Sequence, residues 1–179
     1  MQRSRRVSLL LLATALAVGL SCSTDQSTTG PVPPSTASSP QTSLLGTGLT
    51  GLLYCSPLPY ASTTQTIGPD GGTISVGPHT LTIPAGALSE EVEITAEAPS
   101  DSVNSVRLFP EGLTFANGDP ARLTLSYSNC TLLGRLLPKR IVYTTDLLEL
   151  INTLPSIDDL LHRRVSAPLE HFSRYAVSW

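Results

Sequence analysis

The 179-residue sequence contains few charged residues, few aromatic residues and few cysteines. Charged residues make up 14% of the chain and aromatic residues 5%, and the sequence has eleven lysines and arginines together. This scarcity of positive charge argues against a nucleic-acid partner, because neutralising phosphates requires clustered lysine and arginine. The sparse, unclustered aromatic residues argue against a stacking platform for bases or sugars, and carbohydrate binding is therefore a remote alternative.

Catalytic and cofactor signatures are also missing from the sequence. No Gly-x-Ser-x-Gly nucleophile elbow, Walker loop or dinucleotide fingerprint occurs. His79, His162 and His171 lie far apart, without the spacing of metal ligands. We therefore expect no metal, no cofactor and no enzyme. His79 opens an alternating segment, and we expect it to form a hydrogen bond at the rim of the fold.

Residues 1–21 have the features of a bacterial export signal. Three arginines within the first six residues precede an apolar run over residues 7–20, which ends at Ser21 and Cys22. The run is shorter than the ~20 apolar residues of a spanning helix, which disfavours the alternative of a retained membrane anchor. The pattern predicts a signal peptide.

The exit of this segment, Gly19-Leu20-Ser21-Cys22, resembles the lipobox of bacterial lipoproteins. The resemblance implies that the Cys22 thiol is lipidated and that Cys22 becomes the first residue after cleavage. Plain secretion after Ala17 is the alternative. Ser23 at the position after the cysteine implies the outer membrane, so we expect a protein anchored on its periplasmic face or at the cell surface.

Removal of residues 1–21 makes the remaining chain acidic. It takes away three of eleven basic residues and leaves eight against fourteen acidic ones, a formal net charge near −6. The clustered basic residues of the remaining chain are expected to lie on a solvated surface. They are Arg135, Lys139, Arg140, Arg163 and Arg164. We expect an unidentified envelope protein as partner, contact with the membrane through the lipid, and no nucleic acid.

Two segments precede the folded domain. Residues 22–43 consist almost entirely of Ser, Thr, Pro, Gly and Gln and predict a disordered tether, because they cannot bury enough apolar surface. Residues 44–62 predict an apolar lead-in that packs on the domain, and the glycines between its leucines argue against a helix. A membrane-inserting peptide is the alternative for the lead-in. The domain itself is expected over residues 63–179.

Alternating apolar and polar residues in this domain predict an all-β fold, an antiparallel β-sandwich. The predicted strands are Thr73–Val76, His79–Ile83, Glu91–Ala98, Val103–Phe109, Ala121–Tyr127, Arg140–Thr144, Arg164–Leu169 and Phe172–Trp179. The leucine-rich region 146–161 fits either an amphipathic helix or a strand, and we favour a strand near Glu149–Asn152. An acidic outward row, Glu91, Glu93 and Glu97, is expected to face solvent.

The cysteine count predicts one disulfide. Once Cys22 carries the lipid, Cys55 and Cys130 remain as an even pair in an oxidising compartment. Both lie beside glycine-broken leucine segments, residues 44–54 and 132–137. We expect a Cys55–Cys130 bond that fixes the lead-in to the end of a strand; two buried, unpaired thiols are the alternative.

Four stretches together resemble the ZU-five domain, named for zonula occludens proteins and UNC-five netrin receptors. They are Gly71-Gly72, Leu81-Thr-Ile-Pro-Ala-Gly-Ala-Leu-Ser89, Pro110-Glu-Gly-Leu-Thr-Phe115 and His171-Phe-Ser-Arg-Tyr175, in the order and spacing of that family over residues 66–179. The resemblance implies an antiparallel sandwich that binds other proteins or packs against neighbouring domains. Residues 132–161 are richer in leucine than the family pattern.

The resemblance also implies one possible reaction, cleavage of the chain's own backbone. In some members of the family, His-Phe-Ser cleaves its own backbone between Phe and Ser, and here that motif is His171-Phe172-Ser173. In a strand, His171 and Ser173 would share a face, so the imidazole could take the hydroxyl proton. A bulge between Phe172 and Tyr175 would let both be buried, and such distorted backbone is what the cleavage needs. The simpler role is structural, with His171 bonded to a neighbouring loop, Phe172 in the core and Ser173 satisfying backbone at the bulge. We expect the structural role and an intact chain.

Overall fold

The computed structural model describes residues 51–131 and 136–179. The predicted signal peptide (1–21), Cys22, the tether (22–43) and residues 44–50 of the lead-in lie outside the described residues. Residues 132–135 of the second leucine-rich segment, including Arg135, also lie outside them. Within the described residues, no helix is long and apolar enough to cross a membrane.

The described chain folds into two antiparallel β-sheets that enclose a shared core, which confirms the predicted all-β sandwich. The strands are β1 (Ala61–Ile67), β2 (Gly72–Val76), β3 (His79–Ile83), β4 (Val92–Ala98), β5 (Ser105–Phe109), β6 (Ala121–Ser126), β7 (Arg140–Thr144), β8 (Leu150–Thr153), β9 (Ile157–Asp159), β10 (Arg164–Leu169) and β11 (Arg174–Ser178). One sheet has the order β1-β4-β5-β11-β7-β8 and the other β2-β3-β6-β10-β9. A short 3-10 turn, Ala116–Gly118, precedes β6.

The alternation in the sequence places one face of each central strand in the core. In β6, Ala121, Leu123 and Leu125 are fully buried, and Tyr127 continues the same face beyond the strand. In β4, Ile94, Ala96 and Ala98 are buried while Glu93 is exposed, and Glu91 just before the strand is exposed too. In these two strands, each with one buried face, the alternation with a period of two therefore predicts the buried residues.

Gly71 lies in the turn between β1 and β2, against the end of β3. Its φ is +72°, and a Cβ at this position would lie 2.4 Å from the backbone oxygen of Ile83. Only glycine fits such a position, because both the left-handed backbone and the contact exclude a side chain. The Gly-Gly pair of the sequence thus fixes the approach of β2 to the end of β3.

The lead-in continues the six-stranded sheet at the end of β11. Leu53 N–H donates to the Val177 oxygen at 2.9 Å, and Cys55 N–H donates to the Ser102 oxygen at 2.7 Å. Leu52 packs in a small second cluster separate from the main core, whose other buried members are Val103, Val142 and Ala176. The described part of the lead-in is therefore built into the domain by both hydrogen bonds and burial.

A disulfide joins Cys55 to Cys130, as the cysteine count predicts. Both residues are buried, and their backbones pair in an isolated antiparallel bridge. The bond closes a loop with a sequence separation of 75. It holds the lead-in against the turn that follows β6.

In the ambiguous region, β8 confirms the favoured strand near Glu149–Asn152. Two features differ from the sequence-based expectation. β1 and β9 were not predicted, and β1 crosses the expected boundary between residues 62 and 63. The last strand begins at Arg174 instead of Phe172, because the backbone of Phe172 bonds to the loop after β5.

Lys139 corrects a further expectation. It was expected on a solvated surface, yet it is 1% exposed. Its ammonium donates to the Leu137 oxygen and lies 5.6 Å from the centre of the Tyr127 ring. Burial lowers the pKa of Lys139, and the charge of Asp158 partly opposes that shift. Arg140, Arg163 and Arg164 are exposed as expected.

The two sides of the sandwich differ in character. On one side, consecutive strands β1 and β2 are the edges of the two sheets, and exposed β1 residues are Ser62, Thr64, Gln65 and Thr66. On the other side, consecutive strands β8 and β9 are the edges. The apolar residues exposed there, in or beside the two strands, are Leu147, Leu150, Ile151, Ile157, Leu160 and Leu161. We call these six residues the β8–β9 edge.

Candidate functional site

A cleft of about 460 Å³ opens between the two sheets next to the β8–β9 edge. Four separate parts of the chain form it. These parts are the loop before β6, strand β7, the end of β8 with the two residues that follow it (152–155), and the segment from the end of β10 to the start of β11 (168–175). Its lining includes the side chains of Phe115, Tyr143, Glu170, His171 and Tyr175.

Aromatic rings line one wall of the cleft. The centre of the Tyr143 ring lies 5.1 Å from that of His171 and 5.9 Å from that of Tyr175, and the first pair is edge-to-face. Such contacts are favourable geometries for aromatic pairs. Burial raises the pKa of Tyr175 above its usual range, and the neighbouring Tyr143 and Glu170 raise it further. Its hydroxyl therefore stays protonated. That hydroxyl donates to the His171 oxygen at 2.5 Å.

The segment from His171 to Ser173 precedes β11 and is irregular, and its His171 lines the cleft. Phe172 N–H donates to the Leu113 oxygen at 2.9 Å, and the Ser173 oxygen accepts from Leu108 N–H at 3.0 Å. This detour before β11 allows Phe172 and Tyr175 both to be buried in the main core, which a straight strand would not permit. The irregularity required by the sequence between these two residues is therefore present.

The carbonyl oxygen of Phe172 has two neighbours that can donate hydrogen bonds. Gly112 N–H donates to it at 2.9 Å, and Nδ1 of His171 lies 3.3 Å from it. Nδ1 donates there when it carries the ring proton. The imidazole thus lies at the carbonyl of the Phe172–Ser173 bond, whereas the strand geometry expected from the sequence had placed it beside the Ser173 hydroxyl.

This arrangement has a defined chemical capacity. Two donors at a carbonyl oxygen stabilise negative charge on that oxygen, as in an oxyanion hole. Attack by the Ser173 hydroxyl on the Phe172 carbonyl would develop charge there. The structure brings together the three residues of the motif and adds Gly112, which the sequence gave no reason to select.

The remaining titratable residues form no second candidate centre within residues 51–131 and 136–179. No group of three or more His, Cys, Asp or Glu residues in this part is arranged to hold a metal ion. His79 is buried, and its Nδ1 accepts the Ser126 N–H at 3.1 Å. It forms the expected hydrogen bond, but inside the fold instead of at the rim.

An ion-pair network centred on the buried Arg174, with more exposed partners, lies on the opposite face of the same sheet from Tyr175. Arg174 is 8% exposed, and its guanidinium donates to Asp101 Oδ2 at 3.1 Å and to the Asp146 backbone oxygen at 2.5 Å. Arg107, its cross-strand neighbour, pairs with the Asp146 carboxylate at 2.6 Å. These contacts tie the loop before β8 to the sheet and account for the arginine that follows the His-Phe-Ser motif.

Sequence reasoning identified the motif His171-Phe172-Ser173 but not the cleft that His171 lines. Several other lining residues come from segments more than twenty residues away along the chain, such as Phe115 and Tyr143. Their convergence depends on strand order, which a single sequence does not specify. In comparisons with known proteins, the chain matches no protein-family model and no curated protein.

Proposed function

We propose that this chain is a lipid-anchored, ZU-five-like module of the bacterial cell envelope that serves protein interaction or structural support and is not an enzyme. The lipobox-like sequence before Cys22 supports the anchor, and the acidic mature chain supports a protein partner over nucleic acid. The observation that carries the interaction role is the apolar surface at the β8–β9 edge.

The β8–β9 edge combines two properties of a binding surface. Its apolar side chains are strongly exposed, with Ile157 at 69% and Leu161 at 85%. Its strands β8 and β9 also end their sheets, so within the described residues neither has a neighbouring strand on its outer side. Exposed apolar side chains concentrated at one edge of a domain indicate an interaction site. A strand or apolar segment of a partner would cover both features at once.

The opposite side of the sandwich offers a natural comparison. β1 and β2 end the same two sheets, but their exposed residues are mainly serine, threonine and glutamine. These residues offer a partner no exposed large apolar surface. The difference between the two sides, and not the mere presence of edges, supports a partner at β8 and β9.

Site-specific photocrosslinking in living cells tests this role. A photoreactive amino acid replaces Ile151 or Ile157 in the full-length chain, and the matched control replaces Gln65 of β1. We expect protein adducts at Ile151 and Ile157 and none at Gln65. A second copy of this chain in the adduct would indicate structural self-association. Equal labelling at Gln65, or no adduct at any position, would refute the proposed interaction surface.

A second candidate function is self-processing at the Phe172–Ser173 bond. The specific observation in its favour is the pair of donors at the Phe172 carbonyl oxygen, Gly112 N–H and His171 Nδ1. Intact-mass measurement of the purified chain distinguishes the two functions. The first predicts a single chain ending at Trp179; a fragment beginning at Ser173 that disappears in Ser173→Ala would establish the second.

A further inference from the structure

The cleft beside β8 has an electrostatic character that selects one class of ligand. Among the described residues that line it, Glu170 is the one carboxylate, and neither lysine nor arginine is present. Glu170 is exposed to solvent, so its charge is available at the mouth of the cleft. Burial and the neighbouring Tyr143 raise the pKa of Tyr175, and the charge of Glu170 adds to this shift.

Aromatic rings supply the second component of such a site. Phe115, Tyr143 and Tyr175 line the cleft together with the carboxylate. The faces of aromatic rings attract cations, and a carboxylate at the opening adds a Coulombic attraction. The volume of about 460 Å³ exceeds what one long side chain requires, and it lies within the range of small-ligand sites.

The position of the cleft links it to the proposed interaction surface. Asn152 and Thr153 belong to β8 and line the cleft, and Leu154 and Pro155 continue the lining toward β9. A partner segment lying along the β8–β9 edge would pass the opening of the cleft. Its side chains could then enter between the two sheets.

From these observations we infer that the cleft receives a cationic side chain, lysine or arginine, of the protein that binds the β8–β9 edge. The inference rests on the proposed interaction function and names the chemistry of the partner. The acidic charge of the mature chain, near −6, favours a basic partner at longer range as well. A free amine or quaternary ammonium compound shares this chemistry, and the experiment separates it from a protein-borne cation.

The direct test is an NMR titration of the purified full-length chain with blocked amino acids. Nα-acetyl-lysine amide and Nα-acetyl-arginine amide supply the cation, Nα-acetyl-norleucine amide supplies a neutral chain of similar length, and N-acetylglucosamine tests a sugar. We expect the two cationic probes to shift the backbone amides of Tyr143, Asn152 and His171. The neutral probe and the sugar should leave these amides unchanged.

Two variants and a matched control sharpen the result. Glu170→Gln and Tyr143→Leu should each weaken binding of the cationic probes about two- to fivefold, as expected for one exposed ion pair or one cation–π contact. Glu93→Gln removes an exposed carboxylate on β4, away from the cleft, and should leave binding unchanged. Amide shifts elsewhere in each spectrum verify that the variant is folded.

Several results would overturn the inference. They are equal binding of the norleucine probe, stronger binding of the sugar, or unchanged affinity in Glu170→Gln. Choline is titrated as a fifth probe, and its preference over both cationic amino-acid probes would indicate a small-molecule site instead of a partner's side chain. Crosslinking at Ile151 and Ile157 can succeed while the cleft binds no cation, so the failure of this inference is distinguishable from failure of the proposed function.

Discussion

Mild acid should destabilise the domain through His79. The side chain is 2% exposed, and its Nδ1 accepts the backbone N–H of Ser126. Protonation would place a positive charge in the core and turn this acceptor into a donor that faces another donor. Burial accordingly lowers the pKa of His79 from 6.5 to about 4.

The sign and size of the effect follow from proton linkage. Between pH 6.5 and pH 4 the unfolded chain binds a proton at His79 that the folded chain does not, so the free energy of unfolding decreases as the pH falls. Above pH 6.5 the residue is neutral in both states and contributes no pH dependence. The loss amounts to about 2 kcal/mol at pH 5 and about 3 kcal/mol at pH 4, since each pKa unit corresponds to about 1.4 kcal/mol.

Urea unfolding of wild type and His79→Gln, at pH values from 7.5 to 4, measures this contribution. Glutamine retains an acceptor for the Ser126 N–H but does not titrate, so its curve should lose the His79 part of the pH dependence whatever its stability at neutral pH. His162→Gln removes an exposed imidazole that pairs with Asp159 at 2.7 Å and is the histidine control. Because an exposed pair contributes little to stability, this variant should keep most of the wild-type pH dependence, whereas His79→Gln should not. Parallel pH profiles for wild type and His79→Gln would refute the reasoning.

Three further predictions concern the cysteines and Tyr127. The double variant Cys55→Ser with Cys130→Ser opens a loop with a separation of 75 and should lower the free energy of unfolding by about 2–5 kcal/mol in urea titrations; an unchanged midpoint would contradict the role of the bond. Tyr127→Phe removes a 2.7 Å hydrogen bond to Asp158 and should cost about 1–2 kcal/mol, measured by thermal unfolding against wild type. Cys22→Ser should move the protein from the detergent phase to the aqueous phase on Triton X-114 partitioning, and identical partitioning of both forms would exclude lipidation.

The strands with one buried face could be predicted from the sequence because their pattern is local. In β4 and β6 the alternation itself states which residues face the core, and both strands occur where expected. The Cys55–Cys130 bond was predictable for a different reason, since the assumed lipid on Cys22 left a single possible pair. The pattern of apolar residues could not assign the β8 region on its own, because its leucines fit a helix as well as a strand.

Tertiary structure alone decided the features that depend on distant neighbours. β1 shows no clear alternation because it is an edge strand with mostly exposed residues, and its pairing with β4 defines it. Lys139 is buried because its ammonium donates to the Leu137 oxygen and lies against the Tyr127 ring. No local pattern in the sequence reveals the Tyr127 contact. A sequence can state that a residue is charged or polar, but only the fold supplies the groups that allow its burial.

The candidate site combines both kinds of information. The sequence by itself determined the His171-Phe172-Ser173 motif, and it showed that a regular strand could not bury both Phe172 and Tyr175. Only the tertiary structure decided how both are buried, through hydrogen bonds from this segment to the loop around Gly112. It also decided which rings and which carboxylate line the cleft beside His171. The physical reason is that the cleft is formed by segments far apart in the chain, and the order of strands in the two sheets brings them together.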